Sequence, residues 1–378
     1  ALSTSQLEQL TAGQVEYLSD VDVAFLSAKG YTTVSVPGAS TSGIETSTSV
    51  TQSTIDMAAP ALIIAGRKGV TINGAAGNDT IIGSITGDSI TGGSGNDSID
   101  GAGGNDIITF DLNDTIDGNT GNDTVVAEAG ISGLLDDSLV NVENVSVKSA
   151  SDFSFANQTE NLNIYVDSTD TATYRHTITG GQGNDSITGG SAFDTITGGK
   201  GMDVLTGGAG GDTFVFAAGD NGDSPSSLVF DTITDFSGGD IIDFGTTNLT
   251  IEPLATTGSG DSLVTYPIAG TAAISSTGLA TFKSTDSTLS AKLAAVESAM
   301  SISGTPTTGE AASFNVGSDS YLFVSDSTPG LSSGDVLIKL KNVATTGVYP
   351  TLSGDMVMPY TAAEFTANVA NLDAGDTV

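Results

Sequence analysis

GGSGNDSIDGAGGNDIITF, residues 92–110, sets Asp97 and Asp106 nine residues apart, each behind a glycine-rich turn and two residues ahead of an isoleucine. The same beat runs outward from it. Asp79, Asp88, Asp97 and Asp106 are spaced by nine, the next interval to Asp114 is eight, and Asp123 follows after nine. The run FDLND replaces the glycine turn before Asp114. A second block repeats the interval at Asp185, Asp194, Asp203 and Asp212, and Asp231 and Asp240 are again nine apart. The pattern is G-G-x-G-x-D-x-U-x, with U a large apolar residue. Its glycines allow a turn too tight for bulkier residues. The short strand after each aspartate sends U inward, as Ile90, Ile99, Ile187, Ile196 and Leu205 would do. Nine residues then make one turn and one strand, and eighteen make one coil. Coils stack at the ordinary strand spacing of about 4.8 Å, which lines the carboxylates up in columns along each edge.

Such columns repel unless a cation neutralises them. The 378-residue chain has 45 acidic and 10 basic residues, a formal charge of -35. Nucleic acid and anionic lipid are therefore repelled, and neither is an expected partner. Calcium suits the columns because it is a hard ion that takes six to eight oxygens in flexible geometry. Magnesium demands a stricter octahedron, and zinc prefers His or Cys. The chain has one His and no Cys, so disulfides and thiolate sites are excluded. Two readings compete with calcium binding: disorder, for so acidic and glycine-rich a chain, and a metal-free glycine-rich solenoid. Against disorder, Ile, Val, Leu and Phe recur in register. There is no apolar run long enough for a membrane helix, so no membrane insertion is expected. The first residue is Ala, which suggests a processed or truncated piece of a longer protein.

The chain divides by texture. Residues 1–70 read as a helical and extended segment, with Thr11 and Gln14 forming a capping box. Residues 71–127 are a first repeat block. Residues 128–177 lose the glycines, but VENVSVKSASDFSF and TENLNIYVDST alternate apolar with polar residues as half-buried strands do. Residues 178–245 are a second repeat block with trailing strands. Residues 246–378 read as a capping region. A helix is expected over 287–300, with Leu289, Leu293, Val296 and Met300 on one face. Strands are expected at ASFNV, SYLFVSD and DVLIKLKNV, and a last helix from Thr361, capped by Glu364 and packed through Phe365, Val369 and Leu372. The fold class is mainly β, a parallel β-roll with short helices.

GGSGNDSID, GGQGNDSIT and GGKGMDVLT resemble the repeats of the RTX (repeats-in-toxin) family, and FDTITDFSGGDIIDF resembles the segment that often follows its β-roll. The resemblance spans about 71–127 and 178–245. It implies a parallel β-roll with calcium in the turns, export by type I secretion machinery, a secretion signal in the C-terminal region, and folding outside the cell. The family's ligands map onto Asp79, Asp88, Asp97, Asp106, Asp123, Asp185, Asp194, Asp203 and Asp212. Glycine carbonyls accompany them, from Gly74, Gly77, Gly92, Gly95, Gly101 and Gly104 in the first block. In the second block they come from Gly180, Gly183, Gly189, Gly198, Gly201, Gly207 and Gly210. Three turns depart from the pattern: GSITGDSI lacks its second glycine, GSAFDTI has Ala-Phe for Gly-x, and DLNDTI has no glycine.

Catalytic readings are weak. GDSL at 260–263 resembles an esterase nucleophile motif, but the only His, His176, lies upstream of Ser262. His176 is expected at a solenoid corner. No H-E-x-x-H is present, and the absence of Trp argues against a glycosidase groove. The chain is therefore expected not to be an enzyme. The glycine-poor rungs NVENVSVKSA and QTENLNIYV look like the Thr/Asn/Val-rich solenoid of RTX-type surface-layer proteins. That likeness implies a cell-surface structural protein that self-associates into a lattice and contacts cell-surface polysaccharide. A secretion and stabilising module of an exoenzyme, and a calcium-dependent adhesin or biofilm-matrix protein, are the alternatives.

Overall fold

The computed structural model describes residues 54–56, 62–64 and 69 and, apart from short internal stretches, residues 71–360. The helical patterns of 1–30, the GDSL motif and the helix expected from Thr361 lie outside the described residues. The chain forms two compact units, Ala1–Asp170 and Thr171–Val378.

In the first unit two parallel ladders alternate along the sequence. One joins Thr54–Asp56, Thr71–Asn73, Ser89–Thr91, Ile107–Phe110, Thr124–Ala127, Asn144–Val147 and Asn163–Val166. The other joins Leu62–Ile64, Thr80–Ile82, Ser98–Asp100, Thr115–Asp117 and Leu139–Val140. The roll thus begins upstream of residue 71, where the sequence placed its first boundary, because the strand TID at 54–56 pairs in register without a glycine turn to announce it. The glycine-poor rungs continue the same ladder, as their alternation suggested.

A stack of one apolar residue from each strand runs through the core. Ile72, Ile90, Ile108, Val125, Val145 and Ile164 stack along one ladder, and Ile81, Ile99, Ile116 and Leu139 along the other. The pleat shows at Ile108, 0% exposed beside Ile107 at 52%, whereas Ile81 and Ile82 are both buried.

The second unit repeats the scheme. Ser186–Gly190, Val204–Gly208, Asp231–Ile233 and Val336–Leu340 form one ladder; Thr177–Thr179, Thr195–Thr197, Thr213–Val215 and Ile241–Asp243 form the other. The register jumps by 28 residues at Val204↔Thr232 and Thr213↔Ile241, not by 18 as at Ser186↔Val204. Ten extra residues are thus accommodated without disturbing the stack. Both ladders then turn antiparallel. Val336–Leu340 pairs with Asp319–Val324, which pairs with Ala311–Val316, while Met356–Tyr360 pairs with Ile241–Asp243. Antiparallel strands cannot propagate the coil, so they close a ladder that would otherwise expose an open end.

The helix Leu289–Met300 starts where the Thr288 hydroxyl accepts from the Ala291 amide at 3.1 Å. Leu293, Val296 and Met300 are buried with Leu254, Ile274, Phe314, Phe323 and Leu337.

Because the pleat buries Ile108 and exposes its neighbour, Ile108→Ala should cost about 2–5 kcal/mol and Ile107→Ala far less. Denaturant midpoints in saturating calcium check this, and equal losses would contradict the pleat.

Candidate metal centre

The unit of the site is one aspartate and the coils on either side of it. Asp97 lies between the turn Gly92–Asn96 and the strand Ser98–Asp100. Its carbonyl accepts from Thr115 N at 2.9 Å, its amide donates to Asp114 Oδ1 at 2.8 Å, and its own Oδ1 accepts from the Asp79 amide at 2.8 Å. Three of its polar groups are therefore consumed by stacking. Its Oδ2 is buried and has no hydrogen-bond partner.

That arrangement repeats in four columns. Asp79, Asp97 and Asp114 form the first. Asp88, Asp106 and Asp123 form the second, ending where the Asp123 amide donates to Glu143 Oε2 at 2.8 Å. In the second unit Asp185, Asp203 and Asp231 are linked in the same way, and so are His176, Asp194, Asp212 and Asp240. All of these aspartates are buried. The Oδ2 atoms of Asp106, Asp123, Asp203 and Asp231, like that of Asp97, are buried without a hydrogen-bond partner.

The first glycine of each turn makes room for that second oxygen. A Cβ on Gly92 would lie 2.6 Å from Asp97 Oδ2, and one on Gly101 2.5 Å from Asp106 Oδ2. Gly74, Gly180, Gly189, Gly198 and Gly207 stand in the same relation to Asp79, Asp185, Asp194, Asp203 and Asp212. The glycine four residues into the turn serves the backbone instead: Gly77, Gly95, Gly104, Gly201 and Gly210 have φ between 103° and 151°. Gly183 is buried at the same position of its turn. Where the second glycine is missing, an Asx turn holds the left-handed residue. Ala75 and Ala102, at φ 69° and 70°, donate their amides to Asn73 Oδ1 and Asp100 Oδ1 at 3.0 and 2.9 Å.

The three irregular turns keep their aspartates in the columns. Ser84 closes the GSITGDSI turn, its amide on Asp88 Oδ2 and its hydroxyl 3.0 Å from Asp88 Oδ1. The Asp111 amide does the same for Asp114 Oδ2 at 2.9 Å. In GSAFDTI, Phe193 is exposed under the Arg175 guanidinium, 5.3 Å from its ring centroid. Sequence reasoning left out Asp114, Asp231 and Asp240, which the structure places in the columns. Asp114 lies nine before Asp123 and Asp231 nine before Asp240, but a complete glycine turn precedes none of the three. His176 stands at the aspartate position of its coil, with Nδ1 3.2 Å from Asp194 Oδ1.

Stacked burial makes these carboxylates costly to ionise. Burial first, and then the neighbouring carboxylates of Asp123, Asp88 and Asp100, lift Asp106 to about 7, against the pull of its backbone hydrogen bond. Burial likewise lifts Asp203 to about 7, and Asp114 and Asp212 to about 6. Asp231 is held well above the ordinary range by burial and the charge of Asp203. Among the described residues no three His, Asp or Glu side chains form a metal cage. The donors on offer are thus carboxylate oxygens from successive coils beside backbone carbonyls, an all-oxygen set that fits a hard cation.

A parallel roll edged by such columns defines a calcium-binding repeat protein. The family model of the RTX calcium-binding nonapeptide repeat (4 copies) matches residues 62–85, 82–112, 108–130, 179–214 and 188–222, less than a third of the chain. The two blocks are RTX calcium-binding repeats, and calcium is their cofactor. No curated protein matches the chain.

Chelating calcium should unfold the blocks cooperatively at neutral pH, as circular dichroism would report. Acid should partly reverse this. Carboxyls raised from 3.8 to about 7 in the fold bind more protons there than in the unfolded chain. The resulting stability is complete below about pH 4 and is lost as pH rises through about 7. In chelator, β structure should therefore increase from pH 8 to pH 5; a calcium-free fold that weakens over that range would contradict the buried columns.

Proposed function

We propose that the chain is a secreted, calcium-dependent structural protein: the C-terminal region of a bacterial surface-layer protein that folds and assembles at the cell surface. The calcium ligands proposed are Asp79, Asp88, Asp97, Asp106, Asp123, Asp185, Asp194, Asp203 and Asp212 with the turn glycine carbonyls, joined by Asp114, Asp231 and Asp240. Bound calcium supplies the positive charge that lets buried carboxylates of neighbouring coils stay ionised. The chain's residues set the spacing, close the turns and exclude water. Extracellular modules of this kind bind at roughly 0.1–1 mM calcium. At that affinity the chain stays unfolded where calcium is scarce and folds after export, for which type I machinery and a signal within residues 246–378 are the proposed route.

The observation that carries the scaffold reading is the unbroken register through the glycine-poor rungs. Thr124–Ala127 pairs with Asn144–Val147, and that strand with Asn163–Val166, over four residues each. This segment continues the ladder with only Gly130 and Gly133 between residues 128 and 177, consistent with an extended scaffold. Among the described residues no helix is long and apolar enough to cross a membrane. An exoenzyme's stabilising module and an adhesin remain the alternatives, since one repeat fold carries many functions.

Asp97→Ala and Asp194→Ala should each raise the calcium midpoint of folding, roughly tenfold for a loss of about 1.4 kcal/mol. An unchanged midpoint would remove those residues from the ligand set. Calcium should also promote association once folding is complete, because neutralising a charge of -35 removes the repulsion between copies. Electron microscopy in millimolar calcium should show a two-dimensional lattice. A protein that sediments as a monomer at high concentration under those conditions favours the exoenzyme module.

A further inference from the structure

Positive charge is scarce in this chain, yet two of its ten basic residues line one hollow of the second unit. The hollow is open, about 460 Å³, and its lining includes Phe282, Lys283, Ser284, Ser287, Lys292 and Asn315. It lies outside the repeat blocks and takes no part in the columns.

Two lysines bring positive charge to it. Lys283 is exposed on its rim. Lys292 is held in place: its Nζ donates to the Asn315 carbonyl at 2.6 Å and sits 5.2 Å from the Phe282 ring centroid. That residue occupies the fourth position of the helix Leu289–Met300, whose first turn carries no acidic side chain. A lysine beside the positive end of a helix dipole is electrostatically unfavourable, so an anion there would relieve both. The one carboxylate in the lining, Asp286, is buried and already engaged, its Oδ2 accepting from the Gly270 amide at 3.1 Å and its Oδ1 from the Thr285 hydroxyl at 3.3 Å.

The rest of the lining selects among anions. The Phe282 ring is already engaged by Lys292 at 5.2 Å and by a near-perpendicular Phe314 at 5.7 Å, which makes it a poor platform for a nucleobase to stack on. Ser284, Ser287 and Asn315 offer hydroxyl and amide groups in a shallow, wet site. We propose that this hollow binds an acidic saccharide, with its carboxylate or phosphate at Lys283 and Lys292 and its hydroxyls at the Ser and Asn side chains. Screening keeps the attraction local, since charges beyond about 8–10 Å are largely masked at physiological salt. A chain of net negative charge can therefore still hold an anion here.

The test is titration of the full chain, in saturating calcium held at constant free concentration, with four probes: trigalacturonate, a hexose 6-phosphate, neutral maltotriose and inorganic phosphate. Trigalacturonate and the sugar phosphate should bind, maltotriose should not, and inorganic phosphate should bind more weakly than the sugar phosphate. Lys283→Glu should weaken binding by at least about tenfold, whereas Lys148→Glu, outside the hollow, should leave it unchanged. Circular dichroism of each variant in calcium checks folding, and Lys283→Gln replaces Lys283→Glu if the latter fails it. Wild-type affinity in the Lys283 variant would overturn the site, as would failure of both acidic probes to bind. Inorganic phosphate matching the sugar phosphate would overturn the saccharide assignment.

Discussion

The second oxygen of each column aspartate governs this structure. Stacking the coils uses the aspartate's amide, its carbonyl and Oδ1, and these bonds recur from coil to coil at 2.7–3.0 Å. For Asp97, Asp106, Asp123, Asp203 and Asp231, the chain then offers Oδ2 no donor. Burying a carboxylate without compensation is expensive, so such a site must take up either a proton or a cation. The raised carboxyls of Asp106 and Asp203 show the first route, and the calcium-binding repeats supply the second. The buried columns thus tie the fold of the repeat blocks to what fills them, protons or calcium.

Where the columns stop, different chemistry takes over the same coil edge. Glu143 accepts the amide of Asp123, and beyond it Asn122, Asn144 and Asn163 form an amide ladder, each side-chain NH2 reaching the next oxygen at 2.8–3.0 Å. An amide ladder carries no charge and needs no ion. The glycine-poor rungs hold their register by this ladder, by apolar stacking of Val145 and Ile164 and by the Lys148–Asp167 ion pair at 3.9 Å. His176 begins the column of Asp194, Asp212 and Asp240 in the second unit by donating its amide to Asp194, as an aspartate would.

The end of the second unit shows how a repeat is brought to a halt. The parallel strand Val336–Leu340 accepts the register of Asp231–Ile233, then offers its other edge to an antiparallel hairpin. Its apolar side chains join the helix Leu289–Met300 in a core with stacked and edge-on aromatics, Phe314 against Tyr321 at 5.7 Å and Phe230 against Tyr321 at 5.8 Å. This core needs no cation.

The repeat itself was legible in the sequence because its physics is local. A nine-residue beat of glycine, aspartate and a buried aliphatic residue specifies turn, strand and inward face within a single coil, and Ile90, Ile99, Ile187, Ile196 and Leu205 are buried as that beat requires. The helix over Leu289–Met300 and the three late strands were legible for the same reason, from their own periodicity. What only the tertiary structure decided depends on neighbours distant in sequence. Asp231 joins a column across a 28-residue register, and Thr54–Asp56 joins the roll with no glycine beside it. Asp114 keeps its place because Asp111 replaces a missing turn. In each case the determining contact is a hydrogen bond to another coil or a substitute within the turn. Such bonds follow spatial stacking, and a linear period cannot record them once residues are inserted or a glycine is lost.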